Sequence, residues 1–446
     1  MNTPIKLSDL AFVKNPSINY IGFHNGKHPY EKIKELIYDG DQHLITIAPT
    51  GKGKGRSVII PTLLKQTCPV FVIDPKGENY LVTARRRREM GHRVVLLDPF
   101  GIVKTTEADS FNPLDICKLP CEDIYTECEM IADNLALQGS CNETYWDDNA
   151  KSLLSALIGY IWYKKPEDKR TLNEVFRFFF EADFEYRLAV ILDTDKNIPK
   201  TIYDAFAMYL QIPSDKTRPC VDSTFTTYIN VMKSKGVLKS LGNSTFNIMD
   251  IVEGKPIDIF LVFPPDKLKS HQRLLILWVL TLIRAITART VIPKEPTLFI
   301  LDETAALGEF RQLESFITLC RGYGARVWTF WQDLAQLQSN YPKSYSTFIN
   351  NSGVIQIFGI DKYKAATDLQ SLTGINYRNI RYLEEDTQLL IIGKDEFIGV
   401  PKMDYLLHKE FKGLFEPNPI YALWQKMEMK EIGKTKKKCR NEKSCP

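Results

Sequence analysis

At 446 residues, with 44% hydrophobic, 11% aromatic and 25% charged side chains, the chain has ordinary globular composition and exceeds the roughly 250–300 residues of one hydrophobic core, which excludes disordered, collagen-like and fibrous classes. Its longest apolar runs, 152–163 and 274–283, fall short of the ~20 residues a bilayer crossing needs, and no apolar stretch follows Lys6, Asp9 and Lys14 to suggest a signal peptide. Nine cysteines and a net charge of +4 fit a cytoplasmic protein with free thiols, in two or three packed units.

Residues 1–42 read as a polar, irregular lead-in, with turn signals at Asn15-Pro16, Asn25-Gly26 and Asp39-Gly40. Short β-rich runs then alternate with helical stretches: strand 43–47, helix 56–66, strand 70–73, helix 79–90, strand 94–97. That order predicts α/β architecture, a mostly parallel sheet covered by helices. From about Leu114 to Tyr209 the β runs nearly vanish and patterns such as 147–162 predict helices, so an all-α unit over 115–215 interrupts the sheet domain, whose parts are 43–114 and 216–415. Strands resume at 257–263, 297–301, 326–331, 354–358 and 388–392. The apolar stretch 274–283 predicts a buried helix, and the run Arg85–Arg88 a solvated helix face. From Lys426 onward eight Lys and Arg stand against three Glu, a basic tail over 426–446 that cannot pack a core and is expected to be disordered. It is either a solubilising segment or a contact for nucleic acid or anionic lipid.

Chemistry concentrates at strand ends. The first strand runs into Ala48-Pro49-Thr50-Gly51-Lys52-Gly53-Lys54-Gly55 and then a helix, close to the phosphate loop G-x-x-x-x-G-K-[ST], in which backbone N–H groups converge on phosphate and the lysine reaches the β- and γ-phosphates. Ala48 stands for the first glycine and Gly55 for the hydroxyl residue. Thr50, Gly51, Lys52, Gly53, Lys54 and Gly55 are the candidate ATP-binding residues. A phosphate cradle needs an acidic partner to hold metal and orient water. Strand 297–301 ends in Asp302-Glu303, where Asp302 would hold Mg²⁺, directly or through water, and Glu303 would polarise the attacking water. Strand 326–331 ends in Gln332-Asp333, so Gln332 could sense the γ-phosphate, or the pair could simply cap a helix. Arg321 precedes that strand, at the opposite sheet edge from its own nucleotide, and would act on a neighbouring subunit's site unless it is an ordinary surface arginine. Cys117, Cys121, Cys128 and Cys141 lack C-x-x-C spacing and a nearby histidine, and read as thiols.

These segments, with Ile-Pro-Thr-Leu-Leu at 60–64, Asp-Pro-Lys-Gly-Glu at 74–78, Phe-Asn-Pro-Leu-Asp at 111–115, Pro-Pro-Asp at 264–266, Leu-Asp-Glu at 301–303, Arg-Gly-Tyr-Gly at 321–324 and Gln-Asp-Leu at 332–334, resemble the type IV secretion coupling proteins in order from about residue 44 to 375. The resemblance implies a RecA-like P-loop domain interrupted by an all-α domain, and a homo-hexamer that uses ATP and Mg²⁺ to pass single-stranded DNA with its relaxase, or protein effectors, to a secretion channel. Its partners would be the channel ATPases and inner-membrane components. A glycine after the loop lysine is common in that family. Family members usually begin with two transmembrane helices, and no such span is visible here. The expectation is a bacterial cytoplasmic protein peripheral to the inner face of the membrane, tethered by a separate anchor or representing a truncated relative. The alternative is an adaptor that binds nucleotide without hydrolysing it and docks a relaxase complex.

Overall fold

The computed structural model describes residues 5–6, 36–38 and 40–419, apart from 106–107, 137–143, 215 and 393–395. The basic tail, Cys141 and nearly all of the lead-in therefore lie outside the described residues.

The core is a nine-stranded sheet made of β1 (His43–Ile47), β2 (Val70–Asp74), β3 (Arg93–Leu97), β4 (Ile257–Val262), β5 (Thr297–Leu301), β6 (Ala325–Trp331), β7 (Ser352–Ile357), β8 (Thr387–Ile392) and β9 (Glu396–Pro401). Their spatial order is β9-β8-β7-β1-β6-β5-β2-β4-β3. All neighbours from β7 to β3 are parallel, and β8 pairs antiparallel with both β7 and β9. The inner strands are continuous runs such as HLITI and TLFIL, buried at every position, because a parallel sheet is covered on both faces.

One face is covered by α1 (Ile60–Lys65), which continues a π-type turn at Gly55–Ile59, and by α2 (Glu78–Glu89). Val58, Ile59 and Leu63 pack there on Val70, Val72, Leu298 and Ile300. The other face carries α11 (Gln272–Thr287) and a helical unit between β3 and β4: α3 (Ile124–Leu135), α4 (Thr144–Lys164), α5 (Leu172–Phe180), α6 (Phe184–Thr194), α7 (Lys200–Gln211), α8 (Thr217–Ile229), α9 (Lys235–Ser240) and α10 (Ile248–Val252). Local sequence sets several of these starts: Asp123 accepts from Tyr125 N, and Thr171 from Glu174 N. The unit is anchored on the sheet domain through Glu127, which accepts from Arg284 Nη2 at 2.5 Å, and through Phe111, whose carbonyl accepts from buried Trp278 Nε1 at 3.0 Å. Gly236 lets the chain approach the end of strand β3 so closely that an added Cβ would lie 2.2 Å from the Pro99 carbonyl oxygen.

The arginine run on α2 departs from a solvated face. Arg87 is fully buried, donating from Nε to Asp258 Oδ2 at 2.6 Å and from Nη2 to the Cys68 carbonyl at 2.6 Å, while His92 Nδ1 lies 3.0 Å from Asp258 Oδ1. Arg85 pairs instead with Glu89 and Glu416 on the surface. Among the described residues no helix is long and apolar enough to cross a membrane.

Candidate nucleotide site at the carboxyl edge of the sheet

Strand β1 leaves the sheet at Ile47, and Ala48 N donates to the carbonyl of Trp331 at the end of β6, 2.9 Å away. The loop then turns through Gly51 (φ 79°) and Gly53 (φ 92°), left-handed conformations that glycine adopts without strain. A Cβ at Gly51 or Gly55 would meet nothing within 4 Å, so the loop is uncrowded at both positions. The helix begins immediately, with Ser57 N donating to Gly53 O at 2.8 Å, and a helix N-terminus at this place favours an anion. Two ion pairs clamp the loop from outside: Lys52 Nζ to Asp361 Oδ2 at 3.5 Å, and Arg56 Nη2 to Asp404 Oδ2 at 2.7 Å. Lys52 lies across Gly359, where an added Cβ would come within 2.5 Å of its Cγ, and its charge holds the Asp361 carboxyl below the usual range. Lys52 is therefore engaged in positioning the loop, leaving Lys54 as the cation of its interior.

Strand β1 and the acidic strand β5 are separated only by β6, so the phosphate loop and Asp302-Glu303 emerge at one edge. Loss of hydration raises the Asp302 carboxyl to about 6; the Lys54 ammonium pulls it down, and the charges of Glu303 and Glu78 push it up. Thr304 ties the segment in place: its hydroxyl donates to Leu301 O at 2.9 Å and accepts from Phe330 N at 3.1 Å. A third carboxylate belongs to the site that strand-by-strand reading overlooked. Asp74 ends β2, directly beside β5, with 1% of its surface exposed. Burial lifts it to about 7, offset by the hydrogen bond from Tyr80 N at 2.9 Å and augmented by the Asp302 charge. Its sequence signal was available: a hydrophobic strand ending in Asp, the same pattern as 297–302.

Gln332 occupies the same edge, at the end of β6. Its backbone N donates to Gln336 Oε1 at 2.9 Å, and Asp333 caps the following helix α12 (Leu334–Asn340) by accepting from Gln336 N at 2.8 Å. The capping role thus falls to Asp333. Arg321 sits in the turn before β6, at the opposite edge, more than half exposed and paired with Asp41 at 2.5 Å. It does not converge with the other candidates within one chain.

The donor set suits Mg²⁺ held jointly with a nucleotide. Among the described residues no three His, Cys, Asp or Glu side chains stand ready to hold a metal by themselves, and Mg²⁺ in phosphate-transfer sites takes one or two carboxylates plus substrate phosphates and water. Asp302, short of counter-charge beside the phosphate loop, fits that requirement.

The sequence pattern that defines the type IV secretory system conjugative DNA transfer family matches residues 8–388. The chain is 26% identical over 426 residues to protein VirD4 of Rhizobium radiobacter, covering 85% of this chain and 59% of that protein. It is 24% identical over 363 residues to conjugal transfer protein TraG of Escherichia coli, covering 76% and 56%. The chain thus spans little more than half the length of these relatives. In structure it superposes on the plasmid coupling protein TrwB in complex with a non-hydrolysable ATP analogue, with a TM-score of 0.63 at 17% identity over 82% of this chain and 86% of that one.

Proposed function

This chain belongs to the type IV secretory system conjugative DNA transfer family, and from that premise we propose that it is an ATP-driven coupling protein that recruits single-stranded DNA with its relaxase, or protein effectors, and drives them toward a secretion channel. The observation that carries the reading is the convergence at one sheet edge of the phosphate loop and the Asp302-Glu303 pair, with the Asp302 carboxyl raised by loss of hydration.

In this reading the loop amides and Lys54 bind the β- and γ-phosphates of ATP. Asp302 would hold Mg²⁺, which would supply neutralisation of the charge that develops on the transferred group. Glu303 accepts a proton from the water whose oxygen attacks the γ-phosphorus, the bond to the bridging oxygen breaks, and ADP leaves. Gln332 hydrogen-bonds the γ-phosphate and the water, and reports hydrolysis to the sheet through β6. Arg321 completes a neighbour's site in a homo-hexamer. The domain division is part of the same proposal: 43–114 and 216–415 form the RecA-like motor, whose share of the helices between β3 and β4 is α8 to α10, and 115–215, with α3 to α7, meets cargo. The structurally similar coupling protein TrwB has also been solved in complex with ADP and Mg²⁺, in keeping with these cofactors. Channel ATPases and inner-membrane components are the expected partners, with the chain at the inner face of the cytoplasmic membrane.

Steady-state ATP turnover with and without single-stranded DNA tests the proposal. Lys54→Ala should abolish nucleotide binding, and Glu303→Gln should bind ATP without turning it over. Absence of turnover in the unmutated chain under both conditions, with ATP binding intact, would favour the non-hydrolysing adaptor.

A further inference from the structure

Beneath the helix launched by the phosphate loop lies a pocket of about 340 Å³, away from the carboxyl edge and used by no step of ATP hydrolysis. Its floor is the sheet face around β1, β6, β7 and β8: Leu44, Trp328, Val354 and Leu390. In the parallel ladder Leu44 sits beside both Trp328 and Val354, and Leu44, Val354 and Leu390 form a small apolar cluster of their own. The roof is Val58, Pro61 and Met403. A line of hydrogen bonds crosses the floor, from Trp328 Nε1 to Thr46 Oγ1 at 2.8 Å and from Thr46 Oγ1 to Gln356 Oε1 at 2.6 Å, with Gln356 Nε2 donating onward to Gln388. Those groups satisfy one another, so the floor makes no polar demand on an occupant.

Two cations line the pocket, Lys65 and Arg326; the Lys65 ammonium is engaged over the Phe411 ring at 5.3 Å. Arg326, two residues before Trp328 and on the same sheet face, lines the pocket half-buried, and its guanidinium makes no hydrogen bond or salt bridge to another described residue. Beside it the Tyr38 phenol is held neutral, its ionisation raised by burial and lowered by Arg326. A half-buried arginine with no carboxylate partner among the described residues, next to a neutral phenol and an apolar floor, matches one chemical class: a compact aromatic body carrying a single carboxylate, which the guanidinium can engage through two parallel hydrogen bonds while the ring lies against Trp328. We propose that this pocket is a second small-molecule site, specific for such amphipathic monocarboxylates and separate from the nucleotide edge. Ser57 and Thr62 on its wall belong to the helix that the phosphate loop starts, so the occupant would touch the same element whose first turn adjoins the nucleotide.

Calorimetric titration of the full chain with 4-phenylbutyrate, 4-phenylbutanol and 4-phenylbutylamine tests this. The carboxylate should bind at one saturable site, and the alcohol and amine at least about tenfold more weakly, since a charge-assisted hydrogen bond is worth at least one decade of affinity. Arg326→Gln should lose the same factor, and Leu390→Trp, which fills the floor, should abolish binding, whereas Lys54→Ala should leave it unchanged. Thermal melting establishes that each variant is folded. No saturable binding of 4-phenylbutyrate, equal affinity for the amine, or unaltered affinity in both folded pocket variants would overturn the assignment.

Discussion

Two charged clusters sit on opposite edges of the same sheet. At the amino edge, Asp258 is enclosed by Arg87, His92 and the amide of Val70. Burial alone would raise its carboxyl, yet the hydrogen bonds from Arg87 and His92 carry it below the ordinary range. At the carboxyl edge, Asp74, Asp302, Glu303 and Glu78 crowd together with Lys54 and Lys76 at their margin, and burial lifts Asp74 to about 7 and Asp302 to about 6. One cluster is closed and satisfied internally; the other keeps unbalanced negative charge in a desolvated place. Buried charge that is fully paired holds a fold, and buried charge that is not paired marks where a ligand supplies the missing partner.

The contrast can be broken at its open end first. Glu303→Gln keeps the shape of the carboxyl edge and removes its proton acceptor, so ATP turnover should fall about 10²–10⁴-fold with nucleotide still bound; turnover at the unmutated rate would detach Glu303 from the chemistry. At the closed end, Asp258→Ala leaves Arg87 buried without a counter-charge and should cost about 3–5 kcal/mol in urea unfolding, a loss that leaves nucleotide affinity in the folded fraction unaltered. A destabilisation below ~1 kcal/mol would show that the amino-edge cluster is not closed.

Arg321 links the edges only if two chains meet. Mixed Arg321→Ala and Lys54→Ala chains should recover part of the turnover that each lacks alone, because an intact site forms at some mixed interfaces; recovery must fail if the arginine serves its own chain. The smallest effect concerns pH. Asp74 has a raised folded pKa, so its stability contribution is complete below the unfolded value near 4 and is lost as pH rises through about 7. Asp258 has a depressed one, and its contribution is present above ~4 and lost as pH falls further. Asp74→Asn should therefore raise the melting temperature by a few degrees at pH 8 in nucleotide-free buffer and leave it nearly unchanged at pH 4.5. Equal shifts at both pH values would locate the effect in packing.

Much of this was legible in the sequence. Strand β5 coincides with the expected 297–301 and β1 with 43–47, because buried parallel strands are uninterrupted apolar runs bounded by turn residues. Strand β9 was missed: Gly399 and Glu396 dilute an edge strand whose pairing is antiparallel, and edge strands lack the two-sided burial that produces the signal. Arg87 could not be told from its solvated neighbours, since its partner Asp258 lies 171 positions away. The phosphate loop and Asp302-Glu303 were visible as local patterns, but Asp74 joined them only through strand order, which places β2 beside β5 and which no window of sequence contains.

The helical unit enters after Leu97 and returns at Ile257, and the two strands it joins are parallel neighbours, with Arg93 opposite Ile257 and Leu97 opposite Leu261. It is thus an enlarged version of the crossover that any such pair requires, a dozen or more residues and usually one helix. Strand register on both sides is set by the ladder and not by what the crossover carries. The geometry lets the crossover change in length and surface while the sheet stays unaltered, provided a glycine is kept where residue 236 passes the end of β3.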